Sequence, residues 1–235
     1  MTPKRNSPAR RPARGGARQT FLALLAFAVG IGALLAGGQD GPNLSAWLSG
    51  LTQERVAAAV GKRAGIVAGH WGSDPGAVCA DGLTEEQVNL AIAQRVAARL
   101  RRAGAQVDLL QEFDPRLAGY QADVFVSIHA DSCEVHLSGF KVARVAQSAV
   151  PAAEDRLVEC LWRRYEQATG LPRHENTITY DMREYHAFHE IAPQTPAAII
   201  EVGFLGGDRR LLEREPDRVA QGIASAIFCF WSQEP

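Results

Sequence analysis

Asp123-Val124-Phe125-Val126-Ser127-Ile128-His129-Ala130 is the stretch on which the fold turns, a short apolar run that ends in a histidine. Apolar runs of this length, rich in β-branched and aromatic residues, mark buried strands. A similar run, Ile66-Val67-Ala68-Gly69, leads into His70, and a third, Ala197-Ala198-Ile199-Ile200, ends in Glu201. In open α/β sheets the ligand crevice lies beyond the carboxyl ends of the strands, so residues set there by neighbouring strands meet in space. Two strand-end histidines are then half of a metal site.

Outward from these strands the pattern alternates. Strands are expected at 65–68, 107–110, 124–129, 140–145 and 197–202, and helices at 85–103, 152–169 and 216–231. Val88, Ile92, Val96 and Leu100 form one stripe at helical period, with Arg95, Arg99, Arg101 and Arg102 off it. Interleaved strands and helices imply an α/β fold: a single domain with a central mixed, mostly parallel sheet flanked by helices on both faces. The 235 residues, 46% of them hydrophobic, suffice for one well-buried domain with appendages. No internal repeat is visible.

Charge is unevenly placed. Lys4, Arg5, Arg10, Arg11, Arg14 and Arg18 all precede Phe21, and no acid occurs before Asp40. Of 25 basic and 26 acidic residues, those six set aside leave 19 against 26, a formal charge of −7 beyond the amino terminus. An acidic domain is not expected to bind nucleic acid. Residues 1–20 are expected to form a basic, disordered cytoplasmic tail. The uncharged run over 21–38 is close to the ~20 residues that span a bilayer. It reads as a signal anchor, or as a signal peptide cleaved among the small residues Ala33 to Gly38, with the domain exported across the cytoplasmic membrane. Residues 39–61 follow as a linker and short helical neck, and 62–235 as the catalytic domain.

Four cysteines fit an exported chain. Cys79 follows His70 and Cys133 follows His129, so a metal shared by the two histidines would bring both loops together and favour a Cys79–Cys133 disulfide. Cys160 and Cys229 sit in apolar helical patterns, where packing and a disulfide are equally good readings.

Thr84 with Gln87 three residues on resembles a capping box, which puts Glu85 in the first turn of the helix. An acid there is explained by the helix dipole alone. Glu86 competes for any ligand role, but one position along a helix points about 100° away, so only one of the two can face a metal.

Taken together, Gly69-His70-Trp71-Gly72-Ser73-Asp74-Pro75-Gly76-Ala77, Gly82-Leu83-Thr84-Glu85, Ser127-Ile128-His129-Ala130 and Glu201-Val202-Gly203-Phe204 resemble the zinc-dependent N-acetylmuramoyl-L-alanine amidases of cell-wall turnover. The resemblance spans about residues 65–230. It implies that His70, Glu85 and His129 bind one zinc ion, that Glu201 is the catalytic acid/base, and that the substrate is peptidoglycan. The chemistry is coherent. Two imidazoles and a carboxylate leave a metal position open for water, whose pKa falls towards ~7. A partly desolvated carboxylate can take and return the proton.

Departures from the family pattern lie around the site. Trp71 stands where glycine is usual, Asp131 replaces asparagine, and Leu109-Leu110-Gln111-Glu112-Phe113-Asp114 replaces a Thr-Arg pair. Trp71, Tyr180 and Arg183 are candidate substrate contacts, Arg183 because its planar fork suits a carboxylate. His186 and His189 offer a rival ligand pair by spacing. Two other functions remain open: an exported wall-binding or regulatory protein with an inactive amidase fold, and a zinc peptidase acting within the stem peptide. The need for an activator protein is likewise open.

Overall fold

The computed structural model describes residues 57–233. The expected tail, the membrane segment and most of the neck lie outside the described residues. Among the described residues no helix is long and apolar enough to cross a membrane.

Five strands form one sheet: β1 (Arg63–Ala68), β2 (Gln106–Leu110), β3 (Val124–Asp131), β4 (Lys141–Ala143) and β5 (Ala197–Phe204). Their spatial order is β2-β1-β3-β5-β4. All neighbouring pairs are parallel except β4 with β5. The sheet is thus mixed and mostly parallel, as expected. Only β4 is much shorter than its sequence suggests: Phe140 bridges Arg173 instead, and pairing with β5 ends at Ala143.

The helices are α1 (Glu85–Arg102), α2 (Pro151–Thr169), α3 (Tyr180–Arg183), α4 (His186–Glu190), α5 (Arg209–Arg214) and α6 (Pro216–Ser232). Thr84 caps α1 by accepting from Gln87 N–H, and its stripe Val88, Ile92, Val96 and Leu100 is buried. Each such side chain contributes roughly 1.5–3 kcal/mol by leaving water. Helix α6 is apolar nearly all round because it packs against both α1 and α2. Gly222 permits the close approach: a Cβ there would lie 3.0 Å from Tyr165. A disulfide between Cys160 and Cys229 ties α2 to α6, so the open choice between packing and bonding resolves as both.

Both faces of the sheet are covered, but unequally. Side chains alternate across a strand, and Ile66, Val126, Ile128, Ala198 and Ile200 pack beneath the three long helices. Val67, Phe125, Ala197 and Ile199 pack on the other face, covered by Leu117, Tyr120 and the short-helix segment Met182, Tyr185, Phe188 and Ile191. By the same alternation His129 and Glu201 belong to this second face. They lie directly opposite one another in the β3–β5 register.

Candidate metal centre

His70 lies two residues past the end of β1 and holds a left-handed backbone, φ 66°, uncommon for a residue with a side chain. Its N–H donates to Glu112 Oε2 at 2.9 Å and its Nδ1 faces Asp74 Oδ1 at 2.8 Å. Nε2 is thereby aimed at Glu85 Oε2, 3.2 Å away. The capped start of α1 delivers Glu85, whose Oε1 lies 3.1 Å from His129 Nδ1 and accepts from Ala130 N–H at 3.2 Å. Asn89, one turn on and fully buried, donates to both Glu85 Oε1 and Gly69 O. The β3–β5 ladder shifts register just beyond His129, the kind of irregularity that re-aims a side chain at a site.

Each of His70, Glu85 and His129 offers one ligand atom, all within 4.8 Å of one another. Two imidazole nitrogens and a carboxylate are a donor set for a transition metal with an open position. Glycine is required at two points of the cradle. A Cβ on Gly69 would fall 2.4 Å from the His129 ring, and one on Gly76 would lie 2.7 Å from Glu85 Oε2. The expected Cys79–Cys133 disulfide is present and ties the loop after His70 to the loop after His129. Glu86 instead accepts from Gly72 N–H at 3.3 Å, and Glu85 is the one of the two acids placed against the histidines.

Charge at the centre is lopsided towards the anionic. Burial would raise the Glu85 carboxyl, but His129 and His70 hold it far below the usual carboxylate range. Burial would lower His129, yet Glu112, Glu85 and Glu201 carry it up to about 10. Acids that retain protons on imidazole so strongly provide the field that a divalent cation can use in their place. Glu201 differs in kind. Burial, helped by Glu85 and Asp131, pushes it up to about 7. Its side chain keeps some surface, but Oε2 is buried without a hydrogen-bond partner. On its other flank β4 pairs Lys141 with Glu201 in register, and Lys141 forms an ion pair with Asp131, the residue that departs from the family asparagine.

The remaining candidates are more dispersed. Trp71 is partly buried and packs against the core beneath the long helices. Tyr180 is 76% exposed, and Arg183 at the other end of α3 is also exposed. His186 and His189 do not pair as ligands: His186 faces Glu112 and Glu190, while His189 faces Glu184. Two contributors escaped the sequence reading. Asp74 sits four residues past His70, within its turn. Glu112 lies just beyond the carboxyl end of β2, so the strand-end rule that found the histidines points to it as well.

A sheet of this topology with two histidines and a carboxylate gathered at the carboxyl ends of β1 and β3 defines an α/β domain with a candidate metal site. The chain belongs to the N-acetylmuramoyl-L-alanine amidase family of peptidoglycan amidases, whose sequence profile matches residues 65–229. Similar proteins include the uncharacterized YqiI of Bacillus subtilis, 27% identical over 191 residues, covering 74% of this chain and 86% of that one. The amidase AmiC of Neisseria meningitidis is 26% identical over 208 residues, covering 68% of this chain and 50% of its own length. Among solved structures, the CwlD amidase of Clostridioides difficile in complex with the GerS lipoprotein superposes with a TM-score of 0.60 at 21% identity. That match covers 74% of this chain and 100% of the other.

Proposed function

We propose that this chain hydrolyses the amide bond between the lactyl group of N-acetylmuramic acid and the L-alanine that begins the stem peptide, with His70, Glu85 and His129 holding one zinc ion and Glu201 moving the proton. The single observation that carries the reading is the placement of Glu201. A carboxylate oxygen, buried and unpartnered, belongs to the residue that stands opposite His129 on the neighbouring strand.

Zinc, when bound, supplies Lewis-acid polarisation of the scissile carbonyl and acidifies a water molecule. The protein's own groups do the rest. Glu201 accepts the proton of the attacking water as the new C–O bond forms, then delivers it to the alanine nitrogen as the C–N bond breaks. The products are the lactyl carboxylate and a free amine. A carboxyl near pH 7 in the folded protein serves both directions, since its two protonation states lie close in free energy. Asn89 and the Ala77 and Ala130 N–H groups hold Glu85 in place, so the ligand geometry is set before substrate arrives.

Around this centre we assign Trp71, Tyr180 and Arg183 to substrate contact, with Arg183 suited to a stem-peptide carboxylate. Two disulfides support a domain that works outside the cytoplasm, and the 21–38 segment would hold it at the membrane or be removed in secretion. The GerS complex of CwlD supports the idea that a protein partner can seat on this fold.

The test is digestion of peptidoglycan with the purified protein, followed by mass analysis. Free stem peptides beginning with alanine are expected, together with about one zinc per chain. Glu201→Gln should retain the zinc and lose activity by about 10²–10⁴-fold. Cuts inside the stem would identify the peptidase instead, and zinc-loaded protein that releases nothing would identify the binding protein.

A further inference from the structure

We propose that Glu112 is a positioning residue of the metal centre: it accepts a hydrogen bond from the outer ring N–H of His129 and is itself braced by His186. The inference rests on the zinc reading of His70, Glu85 and His129.

Glu112 is 5% exposed, and both its oxygens are committed. Oε1 lies 3.0 Å from His186 Nε2. Oε2 accepts from the His70 N–H at 2.9 Å and stands 3.5 Å from His129 Nε2. One carboxylate therefore reaches the segments of both ligand histidines. The His129 ring decides what it does there. Nδ1 faces Glu85 and the cluster, whereas Nε2 is buried and lacks a hydrogen-bond partner. A neutral imidazole carries one proton, and a ring that gives its Nδ1 lone pair to a metal must carry that proton on Nε2. In a dry interior the proton needs an acceptor. Glu112 Oε2 is within a small ring rotation of supplying it.

The arrangement repeats what the other ligand already has. His70 turns Nδ1 to Asp74 and leaves Nε2 for the cluster. Each ligand ring would then have its own carboxylate behind it, the arrangement that fixes tautomer and orientation in metal-binding histidines. Glu112 differs from Asp74 in being held from a distant segment. His186 is braced by Glu190 through Nδ1 at 2.7 Å and packs between the rings of Phe113 and Tyr185, with centroids 4.4 Å and 4.6 Å away. Tyr185 also lies edge-on to His129. The short-helix segment, which holds no proposed ligand, thus reaches the metal through Glu112.

Zinc affinity is measured by competition with a chromophoric chelator, and geometry by the visible absorption of the cobalt(II)-substituted protein. Glu112→Ala should weaken zinc binding about 10–100-fold and alter the cobalt bands. Glu112→Gln keeps an acceptor oxygen and should recover most of the loss, and His186→Ala should shift both readouts the same way by a smaller factor. Glu112→Ala that binds zinc within twofold of wild type with an unchanged cobalt spectrum would overturn the proposal. Should that variant fail to fold, histidine ¹⁵N shifts of the zinc-loaded wild type decide: His129 protonated at Nε2 is expected, and protonation at Nδ1 refutes it. Wild type that takes up no zinc, or His129→Ala that keeps it, would instead remove the zinc reading on which the inference stands.

Discussion

Glu154 shows what burying a carboxyl does when no chemistry needs it. It is 3% exposed, Oε1 accepts from Ala197 N–H at 3.2 Å, and Oε2 has no hydrogen-bond partner. Burial pushes its pKa above the ordinary 4.5. The neutral acid is thus the form the fold prefers. Its stabilisation is complete below 4.5, the unfolded value, and is lost as pH rises from there through the raised folded value. Glu154→Gln keeps an oxygen for Ala197 and cannot ionise. Thermal melts should show little difference from wild type at pH 4 and a more stable variant at pH 8; equal melting temperatures at pH 8 would contradict the argument. Glu201 is raised by the same desolvation, to about 7, which suits the proton-carrying role proposed for it. Glu85 and Glu112 go the other way, because imidazoles beside them outweigh burial.

At the scale of elements, what the sequence made legible followed from periodicity. The α1 stripe, its Thr84 cap and the apolar strand runs carry signals over many residues, and their elements stand within a few residues of expectation. Helices α3 and α4 were hidden since four or five residues hold barely one turn, too few for a period to register. The His186 and His189 spacing makes no ligand pair for a related reason: the carboxylates they face come from the segment after β2 and from their own short segment. Likewise α6 showed apolar character without showing that two helices would share it. The bond between α2 and α6 closes a separation of 69 residues and should stabilise by about 2–4 kcal/mol. Replacing Cys160 and Cys229 with alanine should therefore lower the melting temperature while leaving zinc affinity close to wild type. Chelator competition and calorimetry on one preparation check both halves.

In the whole molecule, the sheet order could only be guessed from strand-end chemistry, because pairing partners lie far apart in the chain. Strand-end chemistry called only for the strands leading to His70, His129 and Glu201 to be neighbours in one sheet, and β1, β3 and β5 lie side by side. The Cys79–Cys133 bond lies across this assembled end, so its loss should have the opposite signature to that of the helix pair. Alanine at both positions should weaken zinc binding more than it lowers the melting temperature, and an unchanged zinc affinity would assign that bond to stability alone. The position of β5 between β3 and β4, both earlier in the chain, has a further consequence. A polypeptide that ends before residue 197 lacks the strand that joins β4 to the rest of its sheet: β3 has an open edge, β4 has no partner, and Glu201 does not yet exist. Fragments and unfinished chains therefore lack both the strand that joins the sheet together and the carboxylate proposed above to move the proton, since β5 supplies both.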